Sequence, residues 1–200
     1  MRRIEFALGC CFMLTGGLSM AAEEIKADVG FGYVDEDFHS NSGGTGFNPR
    51  GFFVTAGWLA PSGMMIRLDS TFSQAQTGGI ANFGPGLEPV QDESDFRRVA
   101  ISVGFMFNRR GLVRPIVHGG VARLRLTDKF TGAFSGISET IIDSNDTVLN
   151  LGAGVEIGQD HHNLLLDVTF DPSYRVPSPF FGGDVEFDLT EAHVAYIYRF

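Results

Sequence analysis

His39, Ser40 and Ser42 fall within one short stretch, FHSNSGG, from Phe38 to Gly44. An imidazole beside a hydroxyl is the least that acyl transfer requires, because the base must take the proton as the oxygen attacks. Spacing places no acid with them, and Ser, Asn and Gly in a run are ordinary loop residues. They stand as a secondary candidate, and no catalytic set is expected. His161 and His162 are neighbours in a predicted turn, where adjacent side chains diverge, and no further ligand lies nearby, so no metal is expected either. Asp35-Glu36-Asp37 and Asp92-Glu93-Ser94-Asp95 offer carboxylate oxygens without the spacing of a calcium loop, and they read as solubilising. No cofactor is expected.

A larger set of ionisable residues recurs at alternate positions among small ones: Lys26, Asp28, Arg67, Asp69, Glu156, Asp167, Glu191, His193 and Arg199. Charges gathered on one face of a sheet must pair if that face is enclosed, so they are expected to form a structural network. Their use as a narrow ion path or gate is the alternative. Arg123 and Arg125 would join the network if the chain changes phase near Gly119-Gly120.

The elements that position these groups are β-strands. Ile25, Ala27, Val29, Phe31 and Tyr33 alternate with Lys26, Asp28, Gly30 and Gly32, and the same period of two returns seven more times. Eight strands account for nearly all of the chain after residue 22. Turns at Pro61-Ser62-Gly63, Asn108-Arg109-Arg110-Gly111 and Gln159 to Asn163 are short, whereas the connections near 35–50, 76–95, 127–146 and 175–184 read as long loops. The loops carry Phe38, Phe47, Phe83, Phe130, Phe134, Phe180 and Phe181, side chains able to anchor an extracellular partner.

Three features say which face is inside. The polar face is mostly Gly, Ala, Ser and Asn, too small and too uncharged for a water-facing surface. Aromatic residues gather at two levels, Trp58, Phe105, Phe107, Tyr198 and Phe200 at one end and Tyr33, Phe52, Phe72, Phe170 and Tyr174 at the other, as at the two interfaces of a membrane. Short turns alternate with long loops. The expected fold is therefore all-β, an eight-stranded antiparallel up-and-down transmembrane β-barrel spanning 23–200. Both termini would be periplasmic.

Residues 1–22 read as a cleaved secretory signal, with Arg2 and Arg3 before an apolar run from Phe6 to Leu18 and small residues at Ser19 to Ala22. Both cysteines, Cys10 and Cys11, lie in it, so no disulfide framework is needed. No later segment has enough consecutive apolar residues for a transmembrane helix. The formal charge of −9 and the absence of a Lys/Arg run exclude general attraction to nucleic acid.

The last strand, EAHVAYIYRF, alternates aromatics through Tyr196 and Tyr198 and ends on Phe200. It resembles the assembly signal of bacterial outer-membrane barrels, which implies the barrel-assembly machinery as a partner. The whole chain from residue 23 resembles the small eight-stranded superfamily that includes the OmpA transmembrane domain, OmpX and the opacity-type adhesins. That resemblance implies a Gram-negative outer membrane, contact with its lipid and lipopolysaccharide, and a structural, adhesion or surface-interaction role carried by four external loops. Arg97, near the outer rim, is placed to meet lipopolysaccharide phosphates. The FHSNSGG stretch also resembles lipid A deacylase barrels, which would make His39 and Ser40 or Ser42 an acyl-hydrolase site. Here, however, His39 and Ser40 are adjacent in an early loop, where that family's pair lies two apart on a late strand. A narrow small-solute conduit is a third reading.

Overall fold

A computed structural model describes residues 25–40, 48–82, 87–132, 138–159, 161–178 and 183–200. The strands are β1 (Lys26–Ser40), β2 (Arg50–Leu59), β3 (Met64–Asn82), β4 (Leu87–Met106), β5 (Val113–Gly132), β6 (Ser138–Gln159), β7 (His162–Ser178) and β8 (Gly183–Arg199). Each pairs antiparallel with the next, and β8 returns to β1 to close the barrel. Closure leaves no free sheet edge in the wall, the one β architecture that satisfies its backbone in hydrocarbon.

Alternation decides which residues face the lipid. Val29, Phe31 and Tyr33 point outward from β1, as do Phe52 and Trp58 from β2, Val99, Ile101 and Val103 from β4, and Leu149 and Leu151 from β6. Large apolar side chains left open on every strand form a continuous outer band. Its upper limit is where the outward positions turn polar: Arg50, Gln74, Arg97, Arg123, Thr147 and Arg175. Tyr33, Phe52, Phe72 and Phe170 lie just below that limit, while Trp58, Phe105, Phe107 and Phe200 mark the lower one. Tyr196 is exposed with this lower group, and Tyr198 packs edge-on against Phe200 at 5.1 Å.

The inside is narrow, and glycine makes the room. A Cβ on Gly32 would stand 2.0 Å from the Val194 carbonyl oxygen, and one on Gly152 would stand 2.3 Å from the His118 ring. The second glycine lets an imidazole lie across the lumen.

Three expectations are corrected. Tyr174 is not an interfacial residue; it is fully buried inside. Between Asp171 and Tyr174, β7 advances by three residues while β8 advances by two, from Leu189 to Phe187. The extra residue follows Pro172, which has no N–H to give the ladder, and Ser173 takes a φ of 59°. This bulge reverses the parity and turns Tyr174 inward. In β5 the expected phase change near Gly119 does not occur. Arg123 and Arg125 are exposed, while Leu124 and Leu126 lie inside. Finally, most of the expected loop residues are strand. The β3–β4 ladder runs to Asn82–Leu87, the β5–β6 ladder to Thr131–Ser138 and the β7–β8 ladder to Ser178–Gly183.

Deleting Ser173 removes the extra residue, so β7 and β8 both advance by two and Tyr174 stays inward against the Ser144 hydroxyl. Deleting Pro172 and Ser173 together makes Tyr174 follow the inward Asp171 directly and turns it outward. The double deletion is expected to lower the midpoint of urea unfolding in lipid vesicles, read by tryptophan fluorescence, and the single deletion to lower it much less. Equal midpoints for the two deletions count against this account of the bulge.

Candidate functional site

The lumen is stacked in four layers. At the turn end lie Lys26, Arg109, Arg110, Arg114 and Arg199 around an open cavity. Glu156 forms an ion pair with Arg114 at 2.9 Å and accepts from Arg199 at 2.8 Å, and Asp28 pairs with Arg199 at 3.3 Å. Above them an apolar layer includes Leu59, Met65, Met106, Ile116, Leu165 and Ile197. The gap in this layer holds only about 10 Å³, close to the least that accommodates one water molecule.

The third layer is charged and buried. Arg67 donates to Asp69 at 2.9 Å and to Asp167, whose carboxylate also meets His118 at 3.1 Å. His193 lies 3.3 Å from Glu191 and stacks on Phe53 at 4.3 Å. Arg98, completely buried, ties this group to its neighbours: its Nε donates to Asp171 at 2.6 Å and its Nη1 approaches Glu191 at 3.2 Å. Asn150 donates a further bond to Asp171 at 2.7 Å, and Ser73 one to Glu36 at 2.5 Å. Charges so placed are held by being paired and hydrogen-bonded. The fourth layer, toward the tips, is apolar again, with Phe38 edge-on to Phe96 at 4.8 Å beside Leu124, Leu126, Tyr174 and Leu189.

Of the charged residues expected inside, Arg67, Asp69, Glu156, Asp167, Glu191, His193 and Arg199 are buried in the lumen. Asp28 is nearly so, and Lys26 lies open at the mouth. Sequence reasoning missed Arg98, Arg114, His118, Asp171 and Glu36. Parity would have found them: Arg98 alternates with the outward Val99, and Asp171 follows Asp167 and Thr169 on one face. The acyl-transfer candidates do not assemble. His39 faces outward and Ser40 inward on adjacent positions of β1, and Ser42 lies outside the described residues. Phe38, expected among the exposed loop aromatics, is instead core; Phe47, Phe83, Phe134, Phe180 and Phe181 lie outside the described residues. His161 and His162 contact the Arg199 carbonyl and the Tyr196 hydroxyl, and among the described residues no three ligating groups converge.

Beyond the apolar band the wall divides. Backbone pairing of β6 with β7 stops at Leu151–Phe170, although both strands continue. Side chains bridge the seam instead: Asn150 to Asp171, Ser144 to Tyr174, and the Arg175 N–H to Asp146 at 3.2 Å. β2 reaches up only to Arg50, with Pro49 accepting from the Glu36 N–H at 3.1 Å and Asn48 donating to Asp37 at 3.2 Å, while β1 and β3 run on. One blade is thus β3 to β6, and a second is β7, β8 and β1. Outward arginines line their bases, with Arg97 directly opposite Arg125 in the β4–β5 register.

No protein-family model matches the sequence, and no curated protein matches it. Solved structures do. The attachment invasion locus protein Ail of Yersinia pestis, in complex with the heparin analogue sucrose octasulfate, superposes with a TM-score of 0.58 at 17% identity, covering 88% of this chain and 99% of that one. The fold is that of the small bacterial outer-membrane barrels. A major outer membrane protein from Thermus thermophilus gives 0.58 at 14% identity over 88% and 100% of the two chains. Neisserial surface protein A gives 0.56 at 13% over 88% and 97%. At these identities the likeness is one of architecture. The outward apolar band fits the same membrane.

Arg98→Ala leaves Asp171 and Glu191 buried without their guanidinium, and is expected to cost ~3–5 kcal/mol in reversible urea unfolding from vesicles. A loss under about 1 kcal/mol would show that the arginine does not organise the layer. Above the band, Asp128 accepts from Ser94 at 3.0 Å. Burial, then the neighbouring Asp92 carboxyl, pushes the Asp128 pKa up to about 7. The folded hairpin therefore keeps a proton that the unfolded chain releases near pH 4, so its stability falls as pH rises through about 7. Amides of 127–132, corrected for intrinsic exchange, are expected to be better protected at pH 5 than at pH 8, and Asp128→Asn is expected to remove the difference.

Proposed function

We propose that this chain is an outer-membrane interaction protein, with its turn end in the periplasm, whose working surface is the pair of blades standing above the membrane. The observation that carries the reading is the continuation of the ladders past the apolar band. From Ser138 to Thr147, β6 alone extends roughly 30 Å at ~3.3 Å per residue. A solvent-exposed sheet of that length needs a purpose beyond crossing lipid. Its edge at β6 lacks a β7 ladder, which leaves main-chain groups able to receive an extended segment of a partner.

The sealed lumen argues against the conduit reading. Apolar layers lie on both sides of the charged one, and an ion crossing them would lose hydration without gaining a partner. Acyl hydrolysis is disfavoured because His39 and Ser40 point to opposite faces. Arg97 at the blade base is positioned for a lipopolysaccharide phosphate, standing directly opposite Arg125, which is itself held by Asp143 at 3.2 Å. Residues 1–22 serve as the export signal, and the terminal Tyr196, Tyr198 and Phe200 engage the assembly machinery.

The test is adherence. Bacteria lacking their own adhesins and expressing this barrel are expected to bind cultured epithelial cells several-fold above an empty-vector strain. A variant with residues 75–93 replaced by a four-residue turn, still heat-modifiable on a gel, is expected to lose that gain. Adherence equal to the vector control would sink the proposal.

A further inference from the structure

The seam between β6 and β7 holds a site of its own. Just above Leu151–Phe170, where their backbone pairing stops, a cleft of about 360 Å³ lies in the wall, within the size range of small-ligand pockets. Leu149 and Pro172 give it an apolar side, and Val148, a member of the apolar tip layer, gives it depth. Thr147 and Ser173 bring hydroxyls to its middle, and Asp146 and Arg175 stand at its upper end. Thr147, Leu149, Ser173 and Arg175 are all exposed on the outer face, so the cleft opens toward the membrane. Toward the lumen it is shut by two buried pairs, Asn150 with Asp171 and Ser144 with Tyr174. It is a recess in the wall and gives no way through.

The recess keeps its shape without a ladder. Asp146 accepts the Thr147 N–H at 2.7 Å and the Arg175 N–H at 3.2 Å, and the Ser173 N–H donates to Asp188 at 3.0 Å. The Arg175 guanidinium is held by Glu186 at 3.3 Å. Both charges at the upper end are thus answered within the chain, and the site does not select an ionic group. What it offers a ligand is apolar surface beside two hydroxyls.

Depth in the membrane decides the occupant. Thr147 stands at the upper limit of the apolar band, and Leu149 lies one outward step below it, as Val99 lies below Arg97 and Val121 below Arg123. The recess is therefore continuous with the lipid-facing surface, and a void there would cost its lining the contacts that a close-packed neighbour supplies. We infer that the seam cleft binds one acyl chain of an outer-leaflet lipid, with the ester or amide carbonyl of that chain at Thr147 and Ser173. The first methylenes lie along Leu149, Pro172 and Val148. A carbonyl accepts hydrogen bonds and brings no net charge, which matches hydroxyl donors beside charges already paired.

The experiment is photolabelling of the full barrel in phosphatidylcholine vesicles that contain a trace of phosphatidylcholine with a diazirine close to the ester of one acyl chain. Adducts are mapped by mass spectrometry. Residues 147–149 and 172–173 are expected to be labelled several-fold more than Val99 and Val121, which meet bulk lipid one step below the same limit. Thr147→Val with Ser173→Ala removes both hydroxyls and is expected to bring the seam down toward the level of those two positions, with heat-modifiability on a gel showing that the variant is folded. Labelling of the seam at or below the level of Val99 and Val121, as when protein covers it, overturns the inference. So does an enrichment that the double variant keeps in full. Neither outcome depends on whether the blades mediate adherence.

Discussion

Hydrocarbon offers no hydrogen bonds, and every other feature of this protein follows from that. A strand that crosses lipid must give each backbone N–H and C=O to a neighbour, so the sheet has to close on itself, as β8 does on β1. Closing with only eight strands makes the lumen too tight for a column of water. The interior must be solid, yet the outward half of every strand is already committed to apolar residues by the lipid. What fills the inside is therefore free to be polar only where polar groups find one another, and the alternation of apolar and charged layers is the result.

Arg98 has the central part in that arrangement. Its guanidinium reaches Asp171 and Glu191, and Glu191 in turn contacts His193 and the Thr169 hydroxyl. Strands far apart in the chain are thereby tied across the barrel, Arg98 on β4 with Asp171 on β7 and Glu191 on β8. Such cross-lumen ties fix shape in a way wall hydrogen bonds cannot, because a ladder tolerates shear and a buried bidentate pair does not. The apolar layers on either side keep water from competing for these bonds.

Much of this was legible in the sequence. A period of two, read with the small size of the polar face, specified the strands, their number and the side that meets lipid. Parity also contained Arg98, His118 and Arg114, had it been followed position by position through β4 and β5. The rest was not legible, for physical reasons. Tyr174 faces inward because one extra residue is accommodated next to Pro172, and sequence gives the breaker without saying whether the chain bulges or stops. The blades read as loops in the sequence because Gly, Ser, Asp and Thr, common in turns, are equally at home on a sheet wet on its outer face. The acyl-transfer candidate failed at the same point: neighbours on a strand point apart, a fact that looks different once residues 39 and 40 are strand and not loop.

Alternation that persists from the turns to the blade tips also limits how such a surface can change over generations. Adding or removing a single residue in a blade would exchange its inner and outer faces all the way to the tip, putting Phe38 or Phe96 into water and charges onto the apolar layer. Pairs of residues leave the faces alone and alter only the height of the blade. Odd steps survive only where a bulge absorbs them, as at Asp171–Tyr174 and beside Asp128–Lys129. Lineages carrying this barrel are therefore free to lengthen or shorten their outward surface in even increments, with the two bulges as the places where that arithmetic is broken.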